Sequence, residues 1–206
     1  MDVRELDRRA VLASVDLVAT VAIEDLGRST PCDGWTLADL LAHMTVQHHG
    51  FAAAAEGAGA DLSVWRVEPL GDDAVSAYAV AAERVTAAFA ADGVPDREFA
   101  LPEFGKGATF PASQAIGFHL IDYLVHGWDV ARSLGVGFTV EPELVEAVWP
   151  IALAIPDDER RLQTGLRVPA GPGRPRGRDP LRPDPRHARP FPRLGNPCHR
   201  RLRTPG

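Results

Sequence analysis

The chain has 206 residues, 24% of them charged, with a formal net charge of −6. That length supports one good hydrophobic core and is short for two large domains. The first ten residues, MDVRELDRRA, are charged and lack the apolar stretch of a secretory signal. No run of about 18 apolar residues offers a membrane span. The two cysteines, Cys32 and Cys198, do not suggest a disulfide framework, and a cytoplasmic protein is the expectation.

Charge divides the chain in two. Residues 1–164 hold 26 of the 28 acidic residues and carry a net −15, whereas residues 165–206 hold 11 arginines, no lysine and two aspartates, a net +9. The second segment also holds 10 of the 18 prolines. The organisation expected is an acidic body, 1–164, followed by an Arg/Pro-rich disordered tail, 165–206, since closely spaced prolines sustain neither helix nor central strand. A GC-rich gene read out of frame produces such a composition, and a frameshift near residues 162–168 is the expected origin. The alternative is a natural basic tail for nucleic acid or an acidic partner. The acidic body itself does not suit nucleic acid.

Along the body, Asp2 with Glu5 opens a first helix that is expected to run to Gly27. Leu6, Ala10, Ala13, Leu17, Val18 and Val21 recur at helical spacing along it. Pro31 and Asp33-Gly34 mark a turn. Thr36 then caps a second helix with Asp39 three residues on, reaching about Glu56 before Gly57 and Gly59. Residues 57–71 read as a loop. A third helix is expected from Asp72 to Gly93, with Val75, Tyr78, Ala82, Val85 and Phe89 on its apolar stripe. The Pro- and Gly-punctuated stretch up to Pro111 reads as a loop or small hairpin. A fourth helix begins near Pro111 and ends at Gly135, and a shorter one spans about Pro142 to Ile155. The fold class expected is all-α, a four-helix bundle with a short extra helix.

The fourth helix carries HLIDYLVHGWDVARSLG, residues 119–135. On a wheel of about 100° per residue, His119, Asp122 and His126 share one narrow face. Asp122 and His126, four apart, are neighbours that either hydrogen-bond locally or offer two ligands to one divalent metal. A metal would need a third ligand, and the second helix offers His43, His48 and His49, which point too far apart to share one site. Asp129 and Arg132 read as a surface ion pair. Cys32 reads as a buried packing residue rather than a reactive thiol near a helix start. Trp35 and Trp128 read as core residues.

The stretch TPCDGWTLADLLAHM, followed some eighty residues later by DYLVHGWDVARSLG, resembles the actinobacterial DinB-like proteins. Among them it is similar to the metal-binding domain of mycothiol-dependent maleylpyruvate isomerase, over roughly residues 5–164. The resemblance implies a DinB-like four-helix bundle holding a divalent metal through His43, Asp122 and His126. Zinc is the first choice, with nickel, iron or manganese also suited to such donors. His119 is then an alternative ligand or a group that orients Asp122. The resemblance further implies mycothiol or a similar low-molecular-weight thiol as cosubstrate, acting on a small electrophile in a transferase or isomerase reaction. The isomerase carries an additional C-terminal domain for which this chain has no room, so isomerisation of maleylpyruvate itself is not expected. Two other functions compete: a non-catalytic metal- or ligand-binding bundle, and nucleic-acid association through the arginine-rich tail.

Overall fold

A computed structural model describes residues 2–71 and 73–154. The 165–206 tail, its expected disorder and the body–tail boundary at 164 lie outside the described residues. Five α-helices are described: α1 (Val3–Val18), α2 (Leu37–Ala55), α3 (Ala74–Ala90), α4 (Ala112–Leu134) and α5 (Pro142–Ala154). Two short antiparallel strands, β1 (Glu98–Ala100) and β2 (Thr109–Pro111), form a hairpin before α4, with Phe99 opposite Phe110.

Local chemistry sets most of the boundaries. Thr36 Oγ1 accepts from the Asp39 N–H at 3.2 Å, and Asp39 Oδ2 accepts from the Thr36 N–H at 2.9 Å. This reciprocal box satisfies two amides that the first turn of α2 would otherwise leave open. Gly135 ends α4 in the left-handed conformation at φ 74°, where a side chain would be strained. Asp73 caps α3 by accepting from the Ser76 N–H. The first helix departs from expectation, because α1 stops at Val18 rather than reaching Gly27. Thr20 turns its hydroxyl onto the Leu17 carbonyl, and Asp25 accepts from the Ala22 N–H, opening a separate short 3-10 turn at Ile23–Asp25. Side-chain bonds to the backbone thus replace helix continuation at a β-branched stretch.

The four long helices form the bundle. Helix α1 packs chiefly on α4 and then α3, and α2 chiefly on α3 and then α4, so α1 stands diagonally across the bundle from α2, and α3 from α4. Helix α5 lies against α4 and α1. Between α2 and α4 the core contains Leu37, Leu40, Leu41, Met44 and Tyr123, all fully buried. Nearer the hairpin it contains Phe51, Phe89, Phe99 and Ile116. Two glycines permit close approach. A Cβ on Gly50 would fall 2.2 Å from the Trp65 ring, and one on Gly127 would fall 2.6 Å from the Phe138 ring. This arrangement sets α4 against both α1 and α2, and every buried ionisable group described below lies at one of those two seams. No described helix is long and apolar enough to cross a membrane.

Candidate metal centre

Helix α4 presents Asp122, His126 and Asp129 on successive turns of one stripe, and α2 brings His43 to meet them. One ligand atom from each of His43, Asp122 and His126 lies within 4.8 Å of the other two. The three residues singled out in the sequence therefore converge on one point. His126 is fully buried, His43 is 9% exposed, and the Asp122 side chain is 16% exposed, so the group sits just beneath the surface. The His43 and His126 rings meet edge to face at 5.2 Å, and Trp35 covers His43 from the other side at 5.2 Å.

Among the described residues, few donors face the carboxylates and imidazoles of this group. His126 Nδ1–H donates to Asp129 Oδ2 at 3.1 Å. A neutral imidazole has one N–H, so its other nitrogen, Nε2, presents a lone pair. That lone pair faces Asp122 Oδ1 at 3.4 Å. Asp122 Oδ2 and His43 Nε2 are buried with no hydrogen-bond partner among the described residues. Such buried polar atoms are costly unless a proton or cation lies among them. Two ligands of a tetrahedral zinc, each about 2.0–2.2 Å from the ion, stand roughly 3.3–3.6 Å apart, and the Asp122–His126 separation already matches. Nitrogen and carboxylate donors in this ratio fit zinc and its first-row neighbours.

Electrostatics agree with a cation site. Burial, reinforced by nearby His126, holds His43 down to about 3, so its ring stays neutral and able to ligate at ordinary pH. Burial raises the Asp122 carboxyl, and the adjacent His126 only partly opposes this. A carboxylate left there without a cation is thus held at a cost that a divalent ion would remove.

Other candidates fall elsewhere. His119 does not join the site and does not orient Asp122. Its Nδ1–H donates to Asp7 Oδ1 at 2.7 Å, and its Nε2 accepts from His48 Nδ1–H at 3.2 Å. Both ring nitrogens are therefore committed to a second polar chain, Asp7–His119–His48, which ties α1 to α4 and α2. All three of those residues are 0% exposed, and His48 stacks on Tyr123 at 4.0 Å. His49 lies at the bundle edge beside Arg84, 3.5 Å away. Asp129 is not half of a surface ion pair with Arg132. It is fully buried on His126, while Arg132 lies over the Trp128 ring at 5.7 Å. Cys32 is fully buried, its Sγ 3.6 Å from Asp129 Oδ2, and forms a second close group with His126 and Asp129 on the Nδ1 side of that ring. Asp7 was missed in the sequence. Its signal is its place on the stripe of Leu6, Ala10, Val11 and Ser14, a charged residue where the period calls for an apolar one.

Comparison with known proteins settles the family. The profile of the mycothiol maleylpyruvate isomerase N-terminal domain family matches residues 8–131. The chain belongs to this family. Similar relatives include uncharacterized proteins from two strains of Mycobacterium tuberculosis. Each is 30% identical over 180 residues, covering 85% of this chain and 86% of the relative. Among solved structures, the mycothiol-dependent maleylpyruvate isomerase superposes with a TM-score of 0.57 at 16% identity, covering 74% of this chain and 67% of the other. A histidine-to-alanine variant of that enzyme matches equally. At that identity the likeness establishes the shared fold. The matched family segment contains His43, Asp122 and His126.

Proposed function

We propose that this member of the mycothiol maleylpyruvate isomerase N-terminal domain family binds one divalent metal, zinc first, through His43, Asp122 and His126. We further propose that it uses a low-molecular-weight thiol, mycothiol or a close analogue, in a transferase or isomerase reaction. The observation that carries the reading is the convergence of ligand atoms from His43, Asp122 and His126 to within 4.8 Å of one another, with Asp122 Oδ2 and His43 Nε2 buried and without a hydrogen-bond partner among the described residues. Three protein ligands leave a metal with room for an exogenous ligand, and a bound divalent ion supplies Lewis acidity that deprotonates a coordinating thiol near neutral pH. The chain's own residues supply the rest. His43 stays neutral and ready to ligate, and Asp122 brings the negative charge that favours a cation. Trp35 shields one side of His43 from water. A set of three protein ligands favours catalysis over a structural metal, whose four positions the protein ordinarily fills itself.

The test is cobalt substitution followed by addition of mycothiol or another small thiol. Appearance of a sulfur-to-cobalt charge-transfer absorption, together with thiol-dependent turnover in a screen of small electrophiles, supports the reading. A cobalt spectrum unchanged by any thiol contradicts thiol use and leaves the non-catalytic metal-binding bundle as the better description.

A further inference from the structure

The imidazole of His126 lies between two carboxylates of its own helix, Asp122 one turn before it and Asp129 one turn after. The two contacts are unlike. Asp129 Oδ2 lies 3.1 Å from Nδ1 and accepts a hydrogen bond, whereas Asp122 Oδ1 lies 3.4 Å from Nε2 as a charge neighbour. Asp129 is 0% exposed, and burying a carboxylate is costly enough to call for a specific task. Phe138, closing on Gly127, packs against the helix beside this stripe. We propose that Asp129 is a positioning residue for the metal centre, holding His126 in the tautomer and rotation that aim the Nε2 lone pair at His43 and Asp122.

This inference rests on the metal-binding reading above. Its chemistry is that of a carboxylate bonded to the far nitrogen of a ligating imidazole. Such a carboxylate keeps the proton on that nitrogen, fixes the ring plane and strengthens the ligand nitrogen as a donor. The rival role is purely structural, a local bond between residues three apart on a helix. The two roles separate in measurement. A structural bond contributes equally with and without metal. A positioning bond contributes to metal affinity beyond its effect on the metal-free protein.

The experiment uses the full chain with Asp129→Asn and Asp129→Ala. The zinc dissociation constant is taken by chelator competition, and melting is followed on the metal-free forms. Proton spectra of the cobalt forms add a direct view of the His126 Nδ1–H, which should give a shifted, slowly exchanging resonance. The expected result for Asp129→Ala is a loss of zinc affinity of about 10–100-fold and of that resonance. Asp129→Asn, whose amide oxygen still accepts a hydrogen bond but adds no charge, should retain the resonance and lose less affinity. If the alanine variant does not fold, the asparagine variant carries the test, with weakened zinc binding at a near-normal metal-free melting temperature as the supporting result. Zinc affinity within about twofold of wild type in the folded variants, against the expected loss, overturns the role of Asp129 while the metal site stands. A wild-type chain that binds no divalent metal overturns both.

Discussion

Replacing Asp7 with alanine should weaken the fold far more than a charged residue in the first turns of an N-terminal helix ordinarily would. Asp7 is fully buried, and its Oδ1 is the acceptor for His119 Nδ1–H at 2.7 Å. In the alanine variant that N–H stays buried on α4 with its acceptor gone. The change also reaches the His119–His48 bond, since nothing then fixes which His119 nitrogen bears the proton. Stranding a neutral buried donor costs about 1–3 kcal/mol. If the pair is ionised in the native state, leaving one partner charged costs about 3–5 kcal/mol. For a chain of this size each kcal/mol lowers the melting temperature by roughly 2–4 °C. Urea titration followed by far-ultraviolet circular dichroism measures the loss, and a double-mutant cycle with His119→Phe isolates the coupling. Once His119 is phenylalanine there is no donor to strand, so Asp7→Ala should then cost clearly less. A single variant within about 0.5 kcal/mol of wild type, the range of ordinary surface substitutions, would refute the reasoning, as would equal costs in both backgrounds.

Other outcomes follow from the same buried groups. Burial holds both His43 and His48 below the ordinary histidine value, with His126 and His119 respectively adding to the effect. Below pH of about 6.5 the unfolded chain takes up protons at these rings that the native chain refuses. Their contribution is therefore complete above that pH and is lost as pH falls toward the folded values, by up to about 1.4 kcal/mol per pH unit for each ring. Asp7 and Asp122, raised by burial, act in the opposite sense, favouring the fold at low pH and less so as pH rises through their folded values. His48→Phe should flatten the acid limb of metal-free stability by about one proton, or ~1.4 kcal/mol per pH unit, and an unchanged limb would contradict this. His126→Ala should abolish stoichiometric metal while keeping the helical circular dichroism, because the bundle core is apolar along most of its length; metal retained by a misfolded variant would show a structural role instead. Deleting residues 165–206 should leave the melting temperature and metal content nearly unchanged at moderate salt, and a large fall in either would mark the segment as an integral part of the fold.

The legible parts of the fold were those set by short-range chemistry. Thr36 with Asp39, Gly135 and Pro142 each mark a boundary through their own backbone or capping preferences, and α2, α4 and α5 begin or end where those residues place them. The end of α1 was harder to read. Apolar residues continue at helical spacing past Val18, and only the bonds made by Thr20 and Asp25 show that the chain has turned. In the site, Asp122 and His126 were legible as a pair because i, i+4 spacing fixes them within one helix. Periodicity alone did not select His43 from the three histidines of α2; the resemblance did. His119 shares the face of Asp122 and His126 on a wheel, yet its partners come from α1 and α2, which no periodicity within α4 can reveal. Asp129 was misread for a related reason. Spacing gave it two neighbours three residues away, His126 and Arg132, and burial decided between them.

The central claim is that His43, Asp122 and His126 together hold one divalent ion. Elemental analysis after zinc loading and exhaustive desalting tests it most directly, on wild type and on His43→Ala, Asp122→Ala and His126→Ala, each shown to be folded. The account predicts one equivalent of metal per wild-type chain and loss of stoichiometric metal in all three variants, including His43→Ala, the only one altered on a different helix. Wild type without metal, or His43→Ala retaining a full equivalent, would contradict it.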